Sequence, residues 1–366
     1  MRTLFLVFLA LHGLIHLLGF AKAFDLAKVR GLLAPISRTA GALWLAAALL
    51  FLAASGLLAL GSGAWWMVAV PAVVVSQALI ARSWADAKFG SIANVVVALP
   101  VVIALLGALP TSYASRYAAE VGRRLKPDLH PPVVTEEDLR PLPSAVQRYL
   151  RYAGAVGRPR VVNVRAVFHG AMKRKKAGGW MPIAAQQVDF FDDPARLFYI
   201  RSSLFGIPFD GLHRYVGRNA TMQIRVANLV RVADARGDTM TRSETVTLFN
   251  DMCVLAPATL IAPSIQWRAI DSLSVAATFT NQGYTVAALL SFDSDGRLTS
   301  FVSDDRYLSA SGASYQRYPW STPLRDYRDF GGRRVAALDE AVWRMPDGDY
   351  PYARFVLDSI EYNLTR

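Results

Sequence analysis

The sequence predicts a two-part protein, with four transmembrane α-helices followed by a mainly antiparallel β domain of the α+β class. Three observations predict this fold class. Only seven basic and two acidic residues precede residue 110 of the 366-residue chain, and apolar residues are concentrated there. The remainder has mixed charge and contains short runs in which apolar and polar residues alternate. The single cysteine, Cys253, excludes an internal disulfide framework and a multi-cysteine metal site.

Four apolar stretches are each close to the ~20 residues that a helix needs to cross ~30 Å of hydrocarbon. They lie at 4–20, 39–60, 64–81 and 91–109. The first stretch also fits a signal peptide, because it is short and follows Arg2. It contains two histidines, however, and a positively charged loop and three further apolar stretches follow it. We therefore interpret it as an uncleaved transmembrane helix.

The charges of the short loops predict the topology, because cytoplasmic loops are enriched in Lys and Arg. The loop after the first stretch carries four basic residues, the loop after the third carries Arg82 and Lys88, and the second loop carries none. The amino terminus and everything after residue 110 are therefore predicted to be extracytoplasmic. Four basic residues between Arg116 and Lys126 oppose this topology, but long domains translocate largely regardless of charge.

Two histidines, His12 and His16, lie one turn apart on the first predicted helix. Intramembrane ionisable residues are often functional, so this pair is a weak candidate for a metal or haem site. One such pair cannot supply both axial ligands of a single haem. The alternative is a structural role, with neutral imidazoles bonded to backbone or to hydroxyls such as Ser55 and Ser76.

A connector follows the last apolar stretch. Apolar residues recur every fourth position from Tyr113 to Leu125, interleaved with arginines, which predicts a helix at the membrane interface. Prolines between Pro127 and Pro132 then interrupt regular structure. The predicted regions are a transmembrane part over 1–110, an interfacial helix and proline-rich linker over 111–134, and a strand-rich aqueous domain over 135–366.

Short period-two runs bounded by turn residues predict the strands of the aqueous domain. They lie at 162–168, 187–191, 197–201, 221–226, 274–280, 285–292, 298–303 and 352–362. One clear helix is predicted at 243–253. Many strands with few intervening helices indicate an antiparallel sheet, curved or sandwiched.

Several motifs together resemble one protein family. The most specific is ETVTLFNDMCVLAPATLI at 244–261, and others are HGLIHLLGF at 12–20 and WSTP at 320–323. The chain resembles a family of bacterial membrane proteins with four amino-terminal spans and a carboxy-terminal domain of unknown function. The resemblance implies a multi-pass protein of the bacterial cytoplasmic (inner) membrane, and it implies no reaction. By fold analogy alone, the aqueous domain looks like the curved half-barrels that carry lipids and lipoproteins.

Candidate catalytic residues are three carboxylates. Glu244 and Asp251 are seven residues apart and share one helix face, so they could act as general acid and base or hold a cation with Asn250. The alternative is that they stabilise the helix and cap local backbone. Asp305 either pairs with an arginine such as Arg242 or lines a ligand cavity.

Candidate ligand-binding residues are four tryptophans and an arginine, namely Trp180, Trp267, Arg306, Trp320 and Trp343. Aromatic side chains on a concave sheet would suit an acyl chain, although ordinary core packing also uses them. The basic run Lys173, Arg174, Lys175 and Lys176 precedes two glycines and is predicted to be a hairpin tip. Its chemistry suits anionic lipid headgroups, and a solvated turn without a partner is the alternative.

The sequence contains no Gly-rich phosphate loop, no His-Glu-x-x-His and no Gly-x-Ser-x-Gly motif, and no nucleic-acid motif accompanies its positive charge. We therefore predict a non-enzymatic, membrane-anchored envelope protein without a cofactor, whose extracytoplasmic domain binds or transfers an apolar ligand such as lipid. The alternatives are an extracytoplasmic hydrolase using Glu244, Asp251 or Asp305, and a structural or sensory module that binds another protein. No particular protein partner is predicted.

Overall fold

The computed structural model describes residues 2–204, 206–309 and 311–366. The chain divides into two compact units, Met1–Ser112 and Tyr113–Arg366. The first unit is helical, with α1 (Arg2–Ala23), α2 (Arg38–Ala59), α3 (Trp65–Arg82), α4 (Trp84–Ala87) and α5 (Gly90–Ala108). Four helices of the described chain are long and apolar enough to cross a membrane: α1, α2, α3 and the one that begins at Gly90. The predicted helical region is therefore confirmed.

Helices α1 and α2 approach each other closely at two glycines. A Cβ atom at Gly19 would lie 2.3 Å from Trp44, and one at Gly13 would lie 2.9 Å from Phe51. Small residues at helix crossings allow such packing in a membrane, where the hydrophobic effect does not drive association. Aliphatic side chains on the outside of the bundle are exposed, as expected of lipid-facing positions; they include Leu11, Ile15, Leu49, Val74 and Val95.

The second unit combines four helices with a large sheet. The helices are α6 (Tyr113–Arg124), α7 (Glu136–Leu139), α8 (Ser144–Tyr152) and α9 (Asp238–Val254), and a 3-10 helix follows at Pro257–Ile261. The strands are β1 (Asn163–Met172), β2 (Met181–Phe190), β3 (Ala195–Leu204), β4 (Ile207–Val216), β5 (Asn219–Val226), β6 (Val230–Arg236), β7 (Ile265–Ala269), β8 (Ser274–Asn281), β9 (Tyr284–Phe292), β10 (Leu298–Ser303), β11 (Tyr307–Leu308), β12 (Gln316–Arg317), β13 (Trp320–Phe330), β14 (Arg333–Met345) and β15 (Gly348–Tyr362).

In the described part of the chain, thirteen strands form one antiparallel sheet in the order β6-β5-β4-β3-β2-β1-β15-β14-β13-β10-β9-β8-β7. Strands β11 and β12 form a separate two-stranded hairpin. Most neighbours in sequence are neighbours in the sheet, but β6 and β7 lie at opposite edges and β10 pairs with β13. Strand β15 returns to pair with β1 and joins the two halves. Every predicted strand run coincides with a strand, and the predicted helix lies within α9, so the predicted antiparallel fold is confirmed.

The sheet curves around helix α9. The helix packs against β5 and β6 at one edge and against β9 and β10 near the other, which requires the sheet to wrap around it. Almost every residue of α9 is buried. A helix buried on all sides belongs to a core, and here aromatic rings such as Phe249, Phe279 and Phe301 complete that core on the concave side. The buried thiol of Cys253, on the same helix, lies in this core.

Helix α6 packs against the convex side of the sheet. Tyr113, Tyr117 and Val121 are buried against strand residues that include Val188 and Leu197. The apolar stripe that was predicted to lie at the membrane interface is therefore covered by the sheet. The stripe looks the same in sequence in either case, because an amphipathic helix buries its apolar face equally well in lipid or on a sheet. This helix belongs to the second compact unit.

Candidate functional site

The concave face of β2 to β5 is ordered in cross-strand rows. The innermost row comprises Asp189, Arg196, Tyr215 and Ala220, which occupy paired positions on the four strands and are all buried. The second and third rows counted from it, toward the turn between β3 and β4, are mainly apolar. These open rows are Ala185, Ile200, Gly211 and Ile224, then Ile183, Ser202, Phe209 and Val226.

The open rows are only partly covered. Ile200, Phe209, Ile224 and Val226 are half-buried, whereas the innermost row lies under α9. Phe355 of β15 is also half-buried and extends this apolar surface beyond β1. The concave face is thus filled by a helix at one end and is apolar and only partly covered at the other.

A buried arginine anchors α9 to the innermost row. Arg196 Nε donates to Asp251 Oδ2 over 2.6 Å, and Nη1 donates to Glu244 Oε2 over 3.1 Å. Gln187 Nε2 donates to the same Asp251 oxygen over 2.7 Å. The prediction that Glu244 and Asp251 share a helix face is confirmed, because both bind one guanidinium.

The pKa values in this cluster follow from burial and from Arg196. Burial alone raises the pKa of Glu244, but Arg196, His213 and Arg306 outweigh it and lower that pKa to about 2. Burial raises the pKa of Asp251, which Arg196 only partly offsets. Burial and the neighbouring Asp251 raise the pKa of Asp189 well above its usual value. Glu244 is therefore held as a paired anion, which favours the structural alternative over acid–base work.

A cation site is not assembled here. No group of three or more His, Cys, Asp or Glu side chains within 2–204, 206–309 and 311–366 is arranged to hold a metal ion. Asn250, which was predicted to help bind a cation, is buried beside this cluster.

Arg306 lies between the charged cluster and the apolar rows. Its Nε donates to Thr247 Oγ1 over 3.1 Å, and its Nη1 donates to Tyr352 Oη over 3.0 Å. Its guanidinium lies over the rings of Trp320, at 4.5 Å, and Trp343, at 5.5 Å. The structure therefore brings together three of the predicted ligand-binding residues.

Two further basic side chains beside Glu244 are partly accessible. Arg306 Nη2 and His213 Nδ1 each lie 3.7 Å from Glu244 Oε1, and the side chains are 12% and 19% exposed. His213 also stands beside Phe198, with the ring centroids 5.6 Å apart. One end of the apolar rows is thus bordered by two basic groups. Sequence reasoning missed His213, because its pairing with Glu244 across 31 positions leaves no local signal.

The four candidate tryptophans lie in different surroundings. Trp320 and Trp343 are buried in the core. Trp267 packs near Phe249, with ring centroids 6.5 Å apart. Trp180 lies in the connection before β2, and its ring is flanked by Lys173 at 4.7 Å and by Arg354 at 4.4 Å. Aromatic content alone cannot distinguish core packing from a ligand wall, which is why the sequence left both open.

Asp305 forms the ion pair that the sequence predicted. Arg242 Nη2 donates to Asp305 Oδ1 over 3.1 Å, and the backbone N–H of Ala287 donates to Oδ2 over 2.8 Å. The carboxylate therefore ties α9 to β9 at the point where the chain leaves β10.

A cleft lies where β2, β3 and β4 meet their connecting turns. Its volume is about 420 Å³, and its described lining includes Ile183, Ser202 and Phe209 from the open rows. Asp210 and Tyr199 supply polar groups from the other face. Burial raises the pKa of Asp210 to about 6, against the opposing effects of Tyr199 and Arg225. Most of the lining, including Ala184, Tyr199, Arg201 and Asp210, lies on the convex face, so the cleft opens mainly on that side at the end of the sheet.

The same end of the sheet presents exposed aliphatic side chains. Ile207 is 51% exposed at the start of β4, and Leu229 and Val230 are 68% and 56% exposed at the turn between β5 and β6. The basic run 173–176 forms the neighbouring turn between β1 and β2, as predicted. Lys176 Nζ is 2.8 Å from Asp347 Oδ1, whereas Arg174 and Lys175 are exposed. We name this set of turns the hairpin end.

The chain thus combines helices able to cross a membrane with an antiparallel sheet domain that wraps a buried helix and leaves part of its concave face uncovered. It belongs to the family described as Family of unknown function (DUF6544), whose model matches residues 132–355. The resemblance seen in the sequence is therefore confirmed. No curated protein matches the chain.

Three solved structures are similar to it at low identity. An outer membrane lipoprotein-sorting protein domain from Vibrio parahaemolyticus is 8% identical, with a TM-score of 0.31 over 55% of this chain and 85% of that chain. A LolA superfamily protein from Nitrosomonas europaea is 10% identical, with a TM-score of 0.31 over 59% and 93%. A DUF1329 family protein from Desulfovibrio piger is 9% identical, with a TM-score of 0.34 over 60% and 92%.

Proposed function

We propose that this protein is anchored in the bacterial cytoplasmic membrane and that its extracytoplasmic sheet domain binds a lipid on the open rows of the concave face. The observation that carries the proposal is the uncovered apolar surface between α9 and the hairpin end. Soluble domains rarely leave such a surface without an apolar partner.

The side chains at the inner end and along the rows favour an anionic lipid. Arg306 and His213 border the inner end, where a carboxylate or phosphate group would find two basic side chains. The half-buried Ile200 and Phe355 offer apolar contact along the rows. A lipid with its anionic headgroup near Arg306 and its acyl chain along Ile200 would contact both the basic groups and the apolar rows. The proposed ligand is therefore an anionic lipid.

The hairpin end supports placement of the domain at the bilayer surface. Exposed aliphatic residues at hairpin turns, flanked by Arg174 and Lys175, combine apolar insertion with attraction to anionic headgroups. The chain enters the domain at Tyr113, whose ring lies 4.4 Å from the Arg225 guanidinium, close to the same end.

Lipid binding is tested on a fragment of residues 113–366, which includes α6. The fragment is incubated with vesicles that contain phosphatidylglycerol and re-isolated, and bound lipid is counted by native mass spectrometry. We expect one lipid per domain. Ile200→Asp should lower occupancy at least tenfold, because a carboxylate in the open rows must be desolvated by the acyl chain.

The matched control is Leu289→Asp, which places the same carboxylate on an exposed position outside the concave face. This variant should bind lipid as the parent does. Folded fragment that carries no lipid, or equal loss of lipid in both variants, would contradict the proposal.

A further inference from the structure

A chain of polar side chains runs through the helical unit. It links α1, α3 and α5 through side-chain hydrogen bonds and is mostly buried. Its members are His12, His16, Ser76, Gln77, Ser91 and Asn94. Ser55, the other hydroxyl predicted to bind a histidine, instead donates to the backbone carbonyl of Leu6 over 3.2 Å. Polar groups at this depth are costly to bury and frequently functional.

Donor and acceptor rules define the state of His16. Its Nδ1 lies 2.7 Å from the backbone carbonyl oxygen of His12, which can only accept, so Nδ1 carries a hydrogen. Its Nε2 lies 2.7 Å from Ser76 Oγ. A neutral His16 must therefore accept at Nε2, and the Ser76 hydroxyl must donate to it.

The Ser76 hydroxyl has a second acceptor within reach. Its Oγ lies 3.0 Å from Asn94 Oδ1, which also accepts from His12 Nε2 over 2.8 Å. If His16 takes up a proton, Nε2 donates to Ser76 and the hydroxyl turns to Asn94. An amide oxygen has two acceptor positions, so it can receive both hydrogens. The network is fully hydrogen-bonded with or without the additional proton.

The remaining members lead away from the site to the start of α5. Asn94 Nδ2 donates to Gln77 Oε1 over 3.0 Å, and Gln77 Nε2 donates to Ser91 Oγ over 3.0 Å. Ser91 is the second residue of α5, beside the loop that carries Lys88. A polar path therefore connects the end of the helix to the histidines inside the bundle.

We propose that His16 is a reversible proton-binding site within the membrane region. The groups that face it are His12 on α1, the rings of Trp44 and Phe51 on α2, Ser76 on α3 and, through Ser76, Asn94 on α5. Of these, only His12 titrates. Its two hydrogen bonds and the adjacent aromatic rings favour the imidazolium, whereas burial opposes it. This inference is independent of lipid binding by the sheet domain.

The test uses the full chain in lipid nanodiscs with ¹⁵N-labelled histidine. The chain has five histidines, and His16→Gln assigns the relevant signal. We expect the Nε2 resonance of His16 to change from acceptor to donor as the pH falls from about 8 to about 4, within the range of histidine titration. A His16 that stays neutral over this range in folded protein would overturn the proposal.

Variants of Ser76 distinguish proton binding by His16 from a purely structural role of the network. Ser76→Ala should lower the pH of half-protonation of His16 by at least one unit, and Ser76→Thr, which keeps the hydroxyl, should restore it. Ser55→Ala removes a hydroxyl elsewhere in the bundle and should leave the titration unchanged. An unaltered titration in Ser76→Ala, or titration of His12 in place of His16, would show that the hydroxyl does not serve the proposed site.

Discussion

At the scale of single residues, Arg196 is the buried counter-charge that two carboxylates of α9 share. It is the common partner of Glu244 and Asp251, and all three are buried. Removing one partner of a buried ion pair destabilises a protein more than replacing both partners with apolar residues, because the remaining charge is left buried without a counter-charge. The arginine is therefore required by the two carboxylates that α9 brings into the core.

Arg196→Met should destabilise the domain by about 3–5 kcal/mol, because it removes the guanidinium that Glu244 and Asp251 share and leaves Asp251 buried without a cation. Arg328→Met is the matched control, since Arg328 pairs with Asp326 in an exposed position and should cost less than about 1 kcal/mol. Urea unfolding of the 113–366 fragment measures both. If both variants lost the same free energy of unfolding, the buried cluster would contribute no more to stability than an exposed ion pair.

Asp339 should make the stability of the domain fall as the pH rises. Burial, with Asp251 and Glu340 nearby, raises its pKa from 3.8 to about 7. The folded protein therefore retains this proton between about pH 4 and pH 7, whereas the unfolded chain releases it, and folding is penalised increasingly across that window. Asp339→Asn removes the penalty and should stabilise the domain on the order of 3 kcal/mol at pH 8 but not at pH 4.

Urea unfolding at both pH values checks this prediction. Asp349→Asn, at an exposed position on β15, is the control and should change stability at neither pH. A gain from Asp339→Asn that is the same at pH 4 and pH 8 would show that the carboxyl is not protonated in the folded state near neutrality.

At the scale of elements, local patterns predicted the strands that alternate cleanly and failed for the others. Strand β4 contains Pro208 and Gly211, and β13 contains several charged residues on its exposed face, so neither shows the simple period of two. The helix α9 was predicted, but its partner could not be. Arg196 lies 48 and 55 positions from the carboxylates it binds, and nothing in its neighbourhood distinguishes it from other arginines.

The sheet domain should require α6 for its stability. A fragment of 127–366 lacks Tyr113, Tyr117 and Val121, whose burial is worth about 1.5–3 kcal/mol for each large side chain. It should unfold at lower urea concentration than 113–366 and expose the apolar convex face. Within 113–366, Tyr117→Asp should reproduce most of the loss, and Ala118→Asp, on the exposed side of the helix, should not. Equal stability of both fragments would contradict the role given to α6.

At the scale of the whole molecule, three features of the sheet domain meet at one end. The hairpin end presents exposed aliphatic side chains, the cleft opens there, and the chain enters nearby at Tyr113. Antiparallel order explains the coincidence, because the turns after β1, β3 and β5 necessarily lie at the same end of the sheet.

The topology of the chain decides whether this arrangement operates outside the cytoplasm. The basic loops predict that residue 31 is cytoplasmic and that the sheet domain is not. Single cysteines at Gly31, which has open space around it, and at the exposed Ser294 report the two sides. Cys253 is buried and adds little background. In intact spheroplasts a membrane-impermeant maleimide should label Ser294→Cys at once and Gly31→Cys only after permeabilisation. The reverse pattern would place the domain in the cytoplasm, where the basic residues from Arg116 to Lys126 would then act as the dominant topology signal.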